Sequence, residues 1–170
     1  MRREEQFEVF GRKYKVKEFS AVHGMMLLDD ANNVHPEDML SDCKVILDGV
    51  EISLNWRNIN AYVIDEAGVI PPLLVLKSVI TKVDKFNYGF LSDWKSVKVP
   101  GRFRGAQSEI PKHVPNMFSD LMQNGLATLK ELETYYSLRD AFSMFDALVT
   151  KTLNEALAQE AAAKAAKSSR

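Results

Sequence analysis

Apolar and polar residues alternate over 7–19, where Phe7, Val9, Tyr14, Val16 and Phe19 share one face around a Gly11-Arg12 turn; this spacing predicts a short β-hairpin over 6–19. The period then changes. Ser20 suits the N-cap of a short helix bearing Val22, Met25, Met26 and Leu28 and ending near Asn32-Asn33. Pro36, followed by Glu37 and Asp38, fits the first turn of a second helix, with Leu40, Val45, Ile46 and Leu47 available for burial before Asp48-Gly49 stops it. Val50, Ile52 and Leu54 give the next segment some strand character. Asn55 reads as the cap of a helix through Trp56, Ile59, Ala61, Tyr62, Val63 and Ile64 that ends at Gly68. Beyond Pro71-Pro72, apolar residues at 73, 74, 75, 76, 79, 80, 83 and 86 are too many for a narrow stripe and predict a largely buried helix.

The segment 90–115 differs in kind. Gly101, Gly105, Pro100, Pro111 and Pro115 interrupt any period, and Lys95, Lys98, Arg102 and Arg104 are interspersed, so it reads as an irregular basic loop. Its apolar members Phe90, Leu91, Trp94, Val97, Val99 and Phe103 would pin such a loop to a core, while its length marks it as functional or mobile. A helical hairpin is predicted over 116–157. Pro115 opens a short helix stopped by Asn124-Gly125, and Thr128 with Glu131, then Ser137 with Asp140, have capping-box spacing. From Leu138 the positions 138, 141, 142, 145, 148, 149, 152, 153, 156 and 157 step by threes and fours, which describes one long amphipathic helix. Past Leu157 the chain keeps high helix propensity but loses every large apolar side chain, predicting an alanine-rich helical tail over 158–170 that projects into solvent. The expected fold class is α+β, mostly α, with one domain over 1–157.

Composition narrows the function classes. With 22 basic and 23 acidic residues the 170-residue chain has a net charge of −1, so whole-molecule attraction to nucleic acid or anionic lipid is not expected. The charge is unevenly placed, however. Residues 29–66 hold nine acids and two bases, and residues 77–112 hold eight bases and three acids. The single cysteine, Cys43, cannot form an internal bridge and fits a small buried residue in a reducing compartment. The N-terminus Met1-Arg2-Arg3-Glu4-Glu5 has no apolar run behind it, and no stretch reaches the length of a membrane span, so neither a usual secretion signal nor a membrane is expected.

A search for chemistry yields little. The chain carries no Walker-type loop, dinucleotide fingerprint, His-Glu-x-x-His, Cys-x-x-Cys or Gly-x-Ser-x-Gly. Gly101-Arg102-Phe103-Arg104-Gly105 follows no clean strand and opens no helix, so it makes a poor phosphate cradle. His23, His35 and His113 fall in different predicted elements, and the pairs Asp29-Asp30, Glu37-Asp38 and Asp65-Glu66 sit at helix ends where acids serve the dipole. No catalytic residue, metal or cofactor is therefore expected. Binding remains, with two candidate surfaces: the loop residues Trp94, Lys95, Lys98, Arg102, Phe103 and Arg104, and the helical stripe Phe142, Phe145, Leu148, Val149 and Leu153. The first combines cations and rings, the ingredients of single-stranded nucleic-acid binding, and suits an acidic protein surface or a second copy of the chain equally well. The second, with Met25, Met26, Met117, Met122 and Met144 on or near apolar faces, suits core packing or a groove for apolar helices.

Two segments carry a resemblance. Phe7-Glu8-Val9-Phe10-Gly11-Arg12-Lys13-Tyr14-Lys15-Val16-Lys17, followed at once by a short apolar helix, resembles the start of tailed-bacteriophage tail assembly chaperones. Gly125-Leu126-Ala127-Thr128-Leu129-Lys130-Glu131-Leu132 and Tyr135-Tyr136-Ser137-Leu138-Arg139-Asp140-Ala141-Phe142 resemble a helical segment of small phage tail proteins of that group, with Arg139 where an acid is usual. The resemblance implies a non-enzymatic role in virion morphogenesis in the host cytoplasm: binding the helical tape measure protein and tail subunits, then leaving. It leaves open a structural tail or baseplate component kept in the virion. A nucleic-acid-binding module using the basic loop is the third expectation, from another class.

Overall fold

The computed structural model describes residues 1–103 and 113–168. The fold is α+β and mostly α: a four-stranded antiparallel sheet with helices between its second and third strands and after its fourth. In chain order these are β1 (Glu4–Val9), β2 (Arg12–Lys17), α1 (Ala21–Asp29), α2 (Pro36–Met39), β3 (Cys43–Leu47), β4 (Val50–Ser53), α3 (Ile59–Tyr62), α4 (Pro72–Tyr88), α5 (Asn116–Gln123), α6 (Leu129–Thr134) and α7 (Leu138–Ser168). Two short 3-10 turns, Gly89–Ser92 and Gly101–Phe103, interrupt the predicted loop. Packing divides the chain into two compact units. One comprises Met1–Trp94 with Lys130–Arg139, the other Lys95–Leu129 with Asp140–Arg170.

In the first unit the strands lie in the order β1-β2-β3-β4. The predicted hairpin is its first half, but the turn is Phe10-Gly11 rather than Gly11-Arg12, with Val9 paired to Arg12. A second hairpin follows, where Leu47 pairs with Val50. Both have two-residue turns with both residues at positive φ, 49° and 83° at Phe10 and Gly11, 48° and 80° at Asp48 and Gly49. That is the mirror-image turn whose twist matches paired strands, and glycine supplies its second position at little cost. Two expectations are corrected here. The helix opened by Pro36 ends at Met39, so Val45, Ile46 and Leu47 belong to a strand, where their branched side chains fit a pleated surface. The helix expected from Asn55 to Gly68 shrinks to α3. Asn58 accepts from the Asn55 amide at 2.8 Å and donates to the Ser53 carbonyl at 2.9 Å, so side-chain bonds compete with helical ones. Gly68, at φ 66°, instead closes a loop around Asp65, whose carboxylate accepts from the amides of Ile70, Val69 and Ala67. Those three donors, Ile70 foremost, hold the Asp65 carboxyl below its usual range.

The sheet buries Val9, Tyr14, Val16, Cys43 and Val45 in one cluster with Val75, Val79 and Val83. A largely buried α4 was expected. Its buried face is instead one row four residues apart, Val75, Val79, Val83 and Asn87, and Leu73 and Leu74 are exposed, because α4 is covered along one side only by β1 and α2. On the sheet's other face Lys15 bridges Glu4 and Glu51 at 2.9 and 3.0 Å, and Glu51 also meets Lys44 at 2.9 Å.

The segment 130–139 is stitched into the same unit. Ser20 caps α1 through the His23 amide, as expected, and forms an antiparallel bridge with Ser137, while the Ala21 amide donates to the Tyr136 carbonyl at 2.9 Å. Gly24 lies so close to Leu138 that a β-carbon there would sit 3.2 Å from the leucine's own. Cys43 has no exposed surface, and burial pushes its thiol up to about 12. A thiolate-dependent disulfide reagent at mildly alkaline pH should therefore leave the native protein unlabelled and modify it fully in denaturant. Rapid labelling of native protein would show that this part of the core opens readily.

Candidate functional site

The second unit begins from α5, whose punctuation is as predicted: Asn124 caps it, Gly125 turns out at φ 67°, and the Leu126 amide reaches back to the Leu121 carbonyl at 2.9 Å. Phe118, Ser119 and Leu121 are its buried side, leaving Asp120 and Asn124, one turn apart, on another. The long helix predicted from Leu138 is α7 and runs to Ser168 without a break. Ala141 is its last buried residue among those described. Beyond it the large apolar residues Phe142, Phe145, Leu148, Val149 and Leu153 are only half-buried, and 161–167 are exposed. An apolar stripe of this length left half-covered is what distinguishes this helix from α4.

The stripe forms one wall of a groove of about 390 Å³. Phe145, Leu148, Val149, Thr152, Leu153 and Ala156 come from α7, Asp120 and Asn124 from α5, and Val99 and Phe103 from the segment of the same unit that precedes α5. Arg102 fixes the loop there. Its guanidinium lies 4.7 Å from the Phe103 ring centre and donates to the Glu160 carboxylate at 3.2 Å. Glu160 also meets Lys164 at 2.7 Å, one helical turn on. The hydrogen bond from Lys164, with Arg102 adding to it, holds the Glu160 carboxyl below its usual range. Both pairs are solvent-exposed and set geometry more than they stabilise.

No family model, curated protein or solved structure matches this chain. Its site is therefore defined by these residues alone. Of the predicted binding residues, Phe103, Phe145, Leu148, Val149 and Leu153 converge on the groove, so loop and stripe, predicted as separate surfaces, share one site. Phe142 lies on the stripe without lining the groove, and Lys95 and Lys98 are exposed beside it in sequence. Trp94 belongs to the other unit, where its ring meets Phe90 edge-on at 5.6 Å; the Arg139 guanidinium sits 5.0 Å from that Phe90 ring. Arg104 falls outside the described residues.

Sequence reasoning missed Val99, Asp120, Asn124 and Thr152. The spacing of 120 and 124 was the available signal, one turn apart on the polar side of a short helix, yet nothing local to α5 shows that this side faces α7. Among the described residues no three of His, Cys, Asp and Glu stand close enough to hold a metal ion, and no helix is long and apolar enough to cross a membrane. What the groove can do chemically is exclude water from an apolar side chain row of matching shape.

Proposed function

We propose that this protein works by binding other proteins, without bond-making chemistry, as a tail assembly chaperone that holds an apolar helical stretch of a tape measure protein and engages tail subunits. The observation that carries this reading is the open groove, walled on one side by Phe145, Leu148, Val149 and Leu153 of α7 and on the other by Val99 and Phe103. Residues spaced three and four apart on α7 match the ridges of a second amphipathic helix, so a helix laid in the groove would bury its own row at i, i+3, i+4 and i+7. The phage setting rests on the resemblance of residues 7–17 and 125–142 described above.

Co-expression with the large helical tail protein of the same source tests it. The wild-type chain should raise that protein's soluble fraction severalfold, and Leu153→Lys, which places a charge in the groove at a half-exposed site, should abolish the gain while the variant itself stays folded. No gain with wild type would overturn the reading. The exposed α7 residues 161–167 favour one second reading, a component retained in the tail or baseplate that uses this helix as a docking arm. Stoichiometric presence in purified particles would decide for it, since a chaperone departs before the particle is finished.

A further inference from the structure

The groove's polar residues are unequal. Asn124 and Thr152 are anchored to helical carbonyls, Asn124 Nδ2 donating to Asp120 O at 2.9 Å and Thr152 Oγ1 to Leu148 O at 3.0 Å. Asp120 is different. Its carboxylate is half-buried, lines the groove beside Phe145 and Val149, and makes no hydrogen bond or ion pair. Two cations of the same unit, Arg102 and Lys164, both close on Glu160 rather than on Asp120. A carboxylate partly withdrawn from water next to apolar walls, with no partner of its own, gains most from a cation delivered by whatever fills the groove.

We infer that the groove selects an amphipathic helix carrying a lysine or arginine beside its apolar row, and that Asp120 is the residue that recognises this cation. The inference rests on the protein-binding reading above and adds the charge that the bound helix must bring. The apolar walls supply affinity without much choice among helices, since leucine, methionine or phenylalanine rows fit them alike. Asp120 supplies the choice. A helix with glutamate at that place would set two carboxylates together as the groove dries, which costs more than a neutral residue does.

Two synthetic helical peptides test it with the full-length protein. Both carry leucines at i, i+3, i+4 and i+7; one has lysine flanking the row at both ends, the other glutamine. Wild type should bind the lysine peptide about tenfold more tightly, the worth of roughly 1.4 kcal/mol, and the preference should shrink with added salt. Asp120→Asn should bring both peptides to the affinity of the glutamine one. Equal affinities for wild type, or a lysine preference that survives Asp120→Asn, would overturn the role of Asp120 while leaving the groove a helix site. If neither peptide binds, and Leu153→Lys changes nothing, the groove reading falls and the inference with it.

Discussion

Replacing Phe19 by alanine should cost about 3–5 kcal/mol of unfolding free energy, a large part of the ~5–15 kcal/mol that holds a typical domain. Phe19 is 1% exposed and sits where β2 hands over to α1. Its ring meets those of His23 at 5.0 Å and Tyr88 at 6.1 Å, and its β-carbon lies 3.5 Å from where a β-carbon on Gly24 would be. Removing it leaves a cavity bordered by α1 and α4, which cannot close without moving the 130–139 segment that rests on Gly24. Both tryptophans, Trp56 and Trp94, belong to this unit, so fluorescence-monitored denaturation follows it directly. Phe10, on a turn and 41% exposed, is the comparison: its alanine variant should lose less than about 1 kcal/mol. A loss that small at Phe19 would mean that the residue is not part of the core.

Asn87→Leu is expected to cost about 2–3 kcal/mol although it keeps volume and shape and adds apolar surface. Asn87 is 7% exposed on the valine row of α4. Its Oδ1 accepts from the Phe19 amide at 2.7 Å and its Nδ2 donates to the Val83 carbonyl at 3.0 Å, so leucine would leave the Phe19 amide buried without an acceptor. Asn87→Asp gives a sharper result. A protonated carboxyl can replace both bonds, accepting through one oxygen and donating through the other, whereas burial penalises the carboxylate and raises the folded pKa above the unfolded value. The stability this variant keeps relative to wild type should thus be fully present below about pH 4 and be lost as pH rises through the raised pKa. Equal stability of Asn87→Leu and wild type, or a variant curve parallel to wild type across pH, would refute the bonding described.

Much of the fold was legible in local pattern, because the signals involved act over one turn or one strand. Ser20 and Asn124 are capping effects, and the 7–19 alternation is a property of pleated strands. Misreadings arose where partners distant in sequence decide. Val45, Ile46 and Leu47 suit a helix or a strand by themselves, and pairing of Lys13 with Ile46 and Tyr14 with Val45 settles the matter. The Asp48-Gly49 pair between apolar runs was the overlooked hairpin signal. The apolar count in α4 suggested burial on all sides, but only packing against β1 and α2 shows which row is covered. The same holds at the site. The α7 stripe was readable from its steps of three and four, while Asp120 and Val99 enter the groove from separate segments and no local pattern announces them.

The bridge between Ser20 and Ser137 also constrains how the molecule is made. Its two strands of backbone lie more than a hundred residues apart in the chain, and the segment 95–129, which belongs to the other unit, comes between them in sequence. During synthesis the sheet and α4 can assemble while the remainder is still on the ribosome, yet α1 meets its last neighbour only when Leu138 emerges. Until then the amide of Ala21 and the notch at Gly24 stay open, so a nascent chain halted short of that point is a species with an unfilled seam.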